Sequence, residues 1–318
     1  MQLLYPASAP ERDQWILDHR PPRNRLDPRV PYDFCLEEEC SPSGEIVSIT
    51  TVFLTNRECP WRCLMCDLWR NTLEAEVPAG AIPWQIEYAL ARLAQARHIK
   101  LYNSGSFFDH HAVPLEDYAA IASKVNAFER VIVESHPALI GDRCLRFRDS
   151  LNGQLEVAMG LETAHPEILA RLNKRMTLEQ FSRAADWLRR NKIELRAFVL
   201  VQPPFMKEEE SLEWAERSLA FAFDCGATAV SLIPTRAGNG AMDQLAVAGE
   251  FIAPRPKTLE AAAEYGLNLR RGRVFTDLWD LKQVWPCSEC HGPRVSRLRG
   301  MNLSQTIPPS IDCHACKQ

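Results

Sequence analysis

The sequence predicts an α/β fold built on a parallel sheet. Two observations carry the prediction. Short β-branched or apolar runs alternate with segments whose apolar residues recur three and four apart, and the connections between them are short. Right-handed crossovers then lay the helices against the sheet. On this pattern alone, a curled sheet of six β/α units and a flat doubly wound sheet fit equally well.

Residues 1–45 hold Pro21-Pro22, Pro28 and Pro31 among several arginines. Proline fixes φ and lacks an N–H, so an extended arm packed over the sheet is expected here. Cys35 and Cys40 match no metal-ligand spacing and read as unpaired thiols. Strands are expected over 46–54, 98–102, 130–134, 155–161, 195–201 and 227–233. Helices between them are marked by Ile86, Ala89, Leu90 and Leu93, by Phe181, Ala184, Ala185 and Leu188, and by Leu212, Ala215, Leu219 and Phe223. Thr177 stands as an N-cap with Gln180 three residues on as its capping-box partner. Cys144 and Cys225, single in helical contexts, read as small core residues. From about residue 250 the alternation fades into a helix over 258–265, a short strand near 273–275 and a cysteine-rich end. The expected plan is an arm at 1–45, a core at 46–249 and a small metal-binding domain at 250–318.

With 46% hydrophobic and 25% charged residues, the composition is that of an ordinary globular protein. No run approaches the length needed to span a bilayer, and Met1 to Tyr5 is too short for the apolar part of a secretion signal, so a cytoplasmic location is expected. Eleven cysteines in that setting argue for metal or redox chemistry over disulfides. A net charge of −4 gives no support for unspecific nucleic-acid binding, although residues 270–318 carry eight Lys or Arg against four Asp or Glu.

The most specific segment is Cys59-Pro60-Trp61-Arg62-Cys63-Leu64-Met65-Cys66. A loop at a strand end can wrap three thiolates at this spacing round one face of an iron-sulfur cube, leaving the fourth iron open to a small molecule. A structural zinc site completed by Cys35 or Cys40 is the bland alternative. At the other end, Cys287-Ser288-Glu289-Cys290 and Cys313-His314-Ala315-Cys316 form two C-x2-C knuckles, 22 residues apart. Zinc is the leading reading of these four thiolates and an auxiliary iron-sulfur cluster the rival; His291 and His314 read as bystanders. Arg294, Arg297 and Arg299 lie between the knuckles and suit contact with RNA phosphates.

The stretch 53–66 resembles the cluster loop of the radical S-adenosylmethionine (radical SAM) enzymes, with Met65 where many members carry an aromatic residue. From 53 to 234 the chain resembles the core shared by the Elongator catalytic subunit and the methylthiotransferases. Glu58 to Cys66, Glu134-Ser135-His136-Pro137 and Gly160-Leu161-Glu162-Thr163 most resemble the archaeosine-synthesis radical SAM proteins and their bacterial relatives. The resemblance implies a partial (β/α)6 TIM-like barrel with an extended N-terminal arm and a small cysteine-rich C-terminal domain, its active groups on the loops after the strand C-termini. It implies a [4Fe–4S] cluster on Cys59, Cys63 and Cys66. It also implies S-adenosylmethionine (SAM) against Asn103 and Gly105, Glu134, Glu162 at the ribose, Arg196, and the turn Gln202-Pro203-Pro204-Phe205 at adenine. Asn103-Ser104-Gly105 stands where many members have Gly-Gly-Glu. Glu162 has a structural alternative, an ion pair with Arg196 or Lys174, and the glycine-rich Gly238-Asn239-Gly240 is a weak signal, more often a flexible turn than a phosphate cradle. The implied chemistry is one-electron cleavage of SAM to methionine and a 5′-deoxyadenosyl radical that takes hydrogen from a substrate. A one-electron donor protein and a tRNA or modified-nucleoside substrate are the expected partners, and a membrane is not. No catalytic residue is assigned. The alternative class is a zinc-bearing nucleic-acid-binding or scaffold protein with an inert barrel.

Overall fold

All six strands expected in the core form in the computed structural model, which describes residues 5–316; the short strand expected near 273–275 forms too, and one unexpected strand joins them. The chain runs α1 (Ala9–Asp18), β1 (Asp33–Cys40), β2 (Ile46–Phe53), α2 (Ala81–Leu90), β3 (His98–Tyr102), α3 (Tyr118–Val125), β4 (Arg130–Glu134) and α4 (Asp142–Asp149). It continues through β5 (Gln154–Glu162), α5 (Pro166–Arg171), α6 (Leu178–Arg190), β6 (Glu194–Val201), α7 (Ser211–Asp224), β7 (Ala229–Pro234) and α8 (Ala241–Val247). Last come α9 (Pro256–Leu269), β8 (Arg273–Thr276), α10 (Leu281–Val284) and α11 (His291–Ser304). The strands lie in sequence order in one sheet, β1 antiparallel to β2 and every other neighbouring pair parallel. The sheet curls into a partial TIM-like barrel, with the cysteine-rich region at its C-terminal end.

Local sequence explains most of this. On α6, Phe181, Ala184, Ala185 and Leu188 are buried, and Thr177 and Gln180 make both bonds of a capping box. Val52, Leu101, Val133, Val157, Val199 and Leu232 belong to the main core beneath the helices. Alternation then turns Phe53, Tyr102, Glu134, Glu156, Phe198 and Ser231 toward the concave side.

The arm is not extended throughout: it contains α1 and β1, and the proline-rich stretch 20–32 between them has no helix or strand. Sequence reading passes over β1 because Asp33-Phe-Cys-Leu-Glu-Glu-Glu-Cys looks too acidic for a strand. Its carboxylates are compensated from distant strands. Glu39 is paired with Lys100 at 2.8 Å and with Arg196, whose Nη1 donates at 2.9 Å. Fully buried Glu156 accepts from Arg196 Nε at 2.6 Å, Arg273 Nη2 at 3.0 Å and Arg130 Nη1 at 3.2 Å. Burial opposes ionisation of Glu156, but the three guanidinium groups outweigh it and hold its pKa at about 2. These charges fill the barrel at the amino-terminal ends of its strands.

The sheet also runs past residue 249, where composition places a domain boundary. Pro256 to Leu269 forms α9 against α7, and β8 pairs in parallel with β7. Helix α11 packs on both β1 and β8, spanning the gap between the two sheet edges. Among the described residues, no helix is long and apolar enough to cross a membrane.

Candidate active site

Residues 57–73 make a closed loop above the carboxy end of β2. At its base Glu58 N–H donates to Leu73 O at 2.9 Å and Leu73 N–H to Asn56 O at 2.8 Å. Backbone anchors then fix the cysteine segment. Leu64 N–H donates to Leu172 O at 2.9 Å, Asn173 Nδ2 to Arg62 O at 2.8 Å, and Asn239 Nδ2 to Leu64 O at 2.8 Å and Cys66 O at 3.1 Å. Asn239, in the glycine-rich stretch expected to be only a flexible turn, thus holds the cysteine loop.

Glu58, next to Cys59, is gripped by the arm. Arg20 lies 2.7 Å from one oxygen, Arg23 pairs with the other, and Arg62 stands at 3.1 Å. Burial pushes Glu58 up, but the arginines prevail and hold it below the usual carboxylate range. Arg20 also lies over the Trp69 ring. None of this clamp was anticipated, because its members are far apart in sequence; the buried carboxylate beside Cys59 was the signal available.

After β3, Gly105 lies so close to the cysteine loop that a Cβ would stand 3.1 Å from that of Cys59. The loop is shaped by Glu134 at the end of β4, whose Oε1 accepts from Asn103 N–H at 2.6 Å and Gly105 N–H at 3.3 Å. Burial pushes the Glu134 carboxyl up to about 7. The Asn103 side-chain amide is fully buried, and neither of its polar atoms has a partner among the described residues. Such a group is costly unless a ligand completes it.

At the end of β5, Glu162 adopts φ +67°, and its Oε1 accepts from Lys174 Nζ at 2.7 Å. Of the two alternatives for its structural partner, Lys174 is the one found. Gly160 lies beneath it: a Cβ there would fall 2.0 Å from Glu162 Oε1 and 2.5 Å from Lys174 Nζ, so a side chain at this position would displace the pair. His136, after β4, stacks on Trp61 of the cysteine loop, ring centroids 3.8 Å apart. Its Nδ1 accepts from Ala138 N–H at 3.1 Å, so the proton sits on Nε2, which donates to Lys174 O at 3.0 Å. Burial holds this ring neutral, with its pKa down at about 3.

Two expectations are corrected. Arg196 is not at the mouth: it is spent on Glu39 and Glu156 at the amino-terminal end of the barrel, where a bound cofactor would compete with two buried carboxylates. Arg294 and Arg297 are not available to RNA phosphates either. Arg294, fully buried, pairs with Glu260 at 2.6 Å and donates to Ile311 O. Arg297 pairs with Glu264 at 2.7 Å and donates to the carbonyls of Pro308 and Pro309. Arg299 alone of the three is exposed. Gln202, also at positive φ, is at the carboxy end of β6 but closes its own turn, Nε2 to Met206 O at 2.9 Å.

The two cysteine sets differ in spacing. Among the described residues, Cys287, Cys290, Cys313 and Cys316 are the one group of His, Cys, Asp and Glu whose ligand atoms all lie within 4.8 Å of one another. The sulfur pairs 287–313 and 290–316 are 3.9 and 3.6 Å apart. Tetrahedral Zn–S bonds near 2.3 Å require sulfurs about 3.8 Å apart. Cys59, Cys63 and Cys66 do not converge so tightly, which suits a cluster larger than one ion. Burial raises all three of these thiols, Cys66 to about 12, so a bound cation is needed to hold them as thiolates.

The model of the radical SAM superfamily matches residues 53–215, just over half of the chain. The chain belongs to the radical SAM superfamily. This sets aside the inert scaffold. The chain is 26% identical over 239 residues to an uncharacterised protein of Methanocaldococcus jannaschii, covering 70% of this chain and 66% of that one. It is 25% identical over 189 residues to the archaeosine synthase subunit beta of Methanosarcina acetivorans, covering 56% of this chain and 55% of the other. The chain therefore spans between about half and two thirds of these curated relatives. A solved structure of archaeal Elp3 from Methanocaldococcus infernus shares the fold over 61% of this chain and 52% of its own, with TM-score 0.50 and 14% identity.

Proposed function

We propose that the protein cleaves SAM reductively and uses the resulting radical on a tRNA or modified-nucleoside substrate. The observation that carries the reading is the buried, unpartnered Asn103 amide on a Glu134-held loop directly beside Cys59. In this reading Cys59, Cys63 and Cys66 hold a [4Fe–4S] cluster, which, when bound, supplies the electron and the open coordination site for SAM. Asn103 and the backbone of Gly105 receive the methionine end of SAM, Glu134 keeps that loop in shape, and Glu162, oriented by Lys174, accepts from the ribose hydroxyls. The Gln202 turn borders adenine through its backbone. His136 and Trp61 brace the cysteine loop, and α1 and α8 shield it from water. The archaeosine synthase subunit beta names favour a tRNA substrate and an association with another subunit. A one-electron donor protein completes the reaction.

The C-terminal quartet holds zinc in this proposal, supported by sulfur spacings that match a single tetrahedral ion. Anaerobically prepared protein should contain about four irons and one zinc, absorb near 400 nm, and form 5′-deoxyadenosine faster when the right tRNA fraction is added. Replacing Cys59, Cys63 and Cys66 together by Ala should abolish the absorption and the cleavage. Cleavage that survives in that variant would sink the reading; eight irons without zinc would assign the quartet to a second cluster.

A further inference from the structure

Midway up the concave side of the sheet, between the charged floor and the cysteine loop, lies a band of aromatic side chains. Phe53 and Tyr102 are register partners on β2 and β3, and Phe198 lies beside Ser231 on β6 and β7. Their rings form a chain: Phe53 to Tyr102 at 6.3 Å, Tyr102 to Phe198 at 6.2 Å, and Phe53 to Trp279 at 6.1 Å. On β5 the register partner of Phe198 is Gly160, which contributes no side chain of its own to the band. Phe53, Tyr102, Phe198 and Ser231 are all only partly buried, and Trp279 at the rim is 52% exposed.

The chemistry of this band is specific. Below it, Lys100 is satisfied by Glu37 and Glu39, and Arg196 by Glu39 and Glu156, so the floor has no spare charge for an ionic ligand. The Tyr102 and Ser231 hydroxyls have no hydrogen-bond partner among the described residues. Tyr102 directly precedes Asn103, so a ligand in the band lies under the loop assigned to SAM.

We propose that this aromatic band is the substrate site, and that it takes a neutral planar heteroaromatic ring of the nucleobase class. The ring packs against Tyr102 and Phe198 while its polar edge meets the Tyr102 and Ser231 hydroxyls. Exposed Trp279 offers a platform for a flanking base. The inference rests on the nucleoside reading above and assigns its site.

The test uses 2-aminopurine riboside, a neutral fluorescent nucleoside whose emission falls on stacking, titrated into the metal-loaded protein. Saturable quenching is expected. Tyr102→Leu and Phe198→Leu should each weaken binding about tenfold or more by loss of stacking, and Tyr102→Phe about fivefold by loss of one hydrogen bond. Trp279→Ala, at an exposed position, guards against misfolding and should weaken binding about fivefold or more. Absence of saturable quenching, or equal binding by all variants, would overturn the proposal. SAM cleavage without added substrate, measured on the same samples, separates the two readings: cleavage without nucleoside binding removes only this site, and binding without cleavage removes the proposed reaction.

Discussion

Glu162 is asked to do two things at once, and a double-mutant cycle separates them. Its carboxylate and the Lys174 ammonium are 2.7 Å apart, with side chains 8% and 10% exposed. Removing one member of such a pair leaves the other charge buried without compensation, which costs about 3–5 kcal/mol. Glu162→Gln and Lys174→Met should each destabilise the fold on that scale in urea denaturation. The double variant buries no charge and should recover most of the loss, a coupling of about 2 kcal/mol or more. Binding of SAM follows a different pattern. Charge-assisted bonds to the ribose are worth about 1.5–3 kcal/mol, so Glu162→Gln and the double variant should both lose roughly 10- to 150-fold in affinity by calorimetry. Lys174→Met, which retains the carboxylate, should lose less. Gly160→Ala should mimic Glu162→Gln, because its methyl group would occupy the carboxylate's place. Single variants as stable as the parent would refute the pair's structural weight. Recovery of SAM affinity in the double variant would assign Glu162 to structure alone.

Glu134 gives a pH prediction. Its carboxyl titrates at about 7 in the fold because burial disfavours the charge, against an ordinary value near 4.3 in the unfolded chain. The unfolded state therefore releases its proton first, and stability should fall as pH rises from about 4 to 7, by up to about 3 kcal/mol. Glu134→Gln should flatten that slope in denaturation at matched pH values; an unchanged slope would refute it. Arg294→Ala should destabilise by about 2–4 kcal/mol, since buried Glu260 would lose its 2.6 Å partner and keep only the longer contact to Arg297 at 3.7 Å. Exposed Arg299→Ala should stay within about 0.5 kcal/mol, and equal effects in thermal melts would contradict the pairing.

Much of the site was legible from neighbours in the chain. Strands β2 to β7 and the face of α6 follow from periodicity over a few residues, and the loop from Cys59 to Cys66 carries its chemistry in its own spacing. The C-terminal quartet was legible as two knuckles, but only the 3.9 and 3.6 Å sulfur separations favour a single ion over a cluster. Asn103 could be suspected from its place after β3; its lack of a partner could not, because that depends on everything that surrounds it.

What the sequence by itself determined is the alternation of strand and helix, the capping box at Thr177 and the three-cysteine loop, all set by residues within a turn or two of one another. Tertiary structure alone decided the fate of the charges. Glu37 and Glu39 could sit in a strand only because Lys100 and Arg196 meet them inside the barrel. Arg294 and Arg297 became internal ties because Glu260 and Glu264 on α9 reach them. The Arg20 and Arg23 clamp on Glu58 likewise joins segments more than thirty residues apart. A charged side chain carries no local mark of whether it will face water or a partner, since its burial is tolerated only when an opposite charge arrives from elsewhere in the fold.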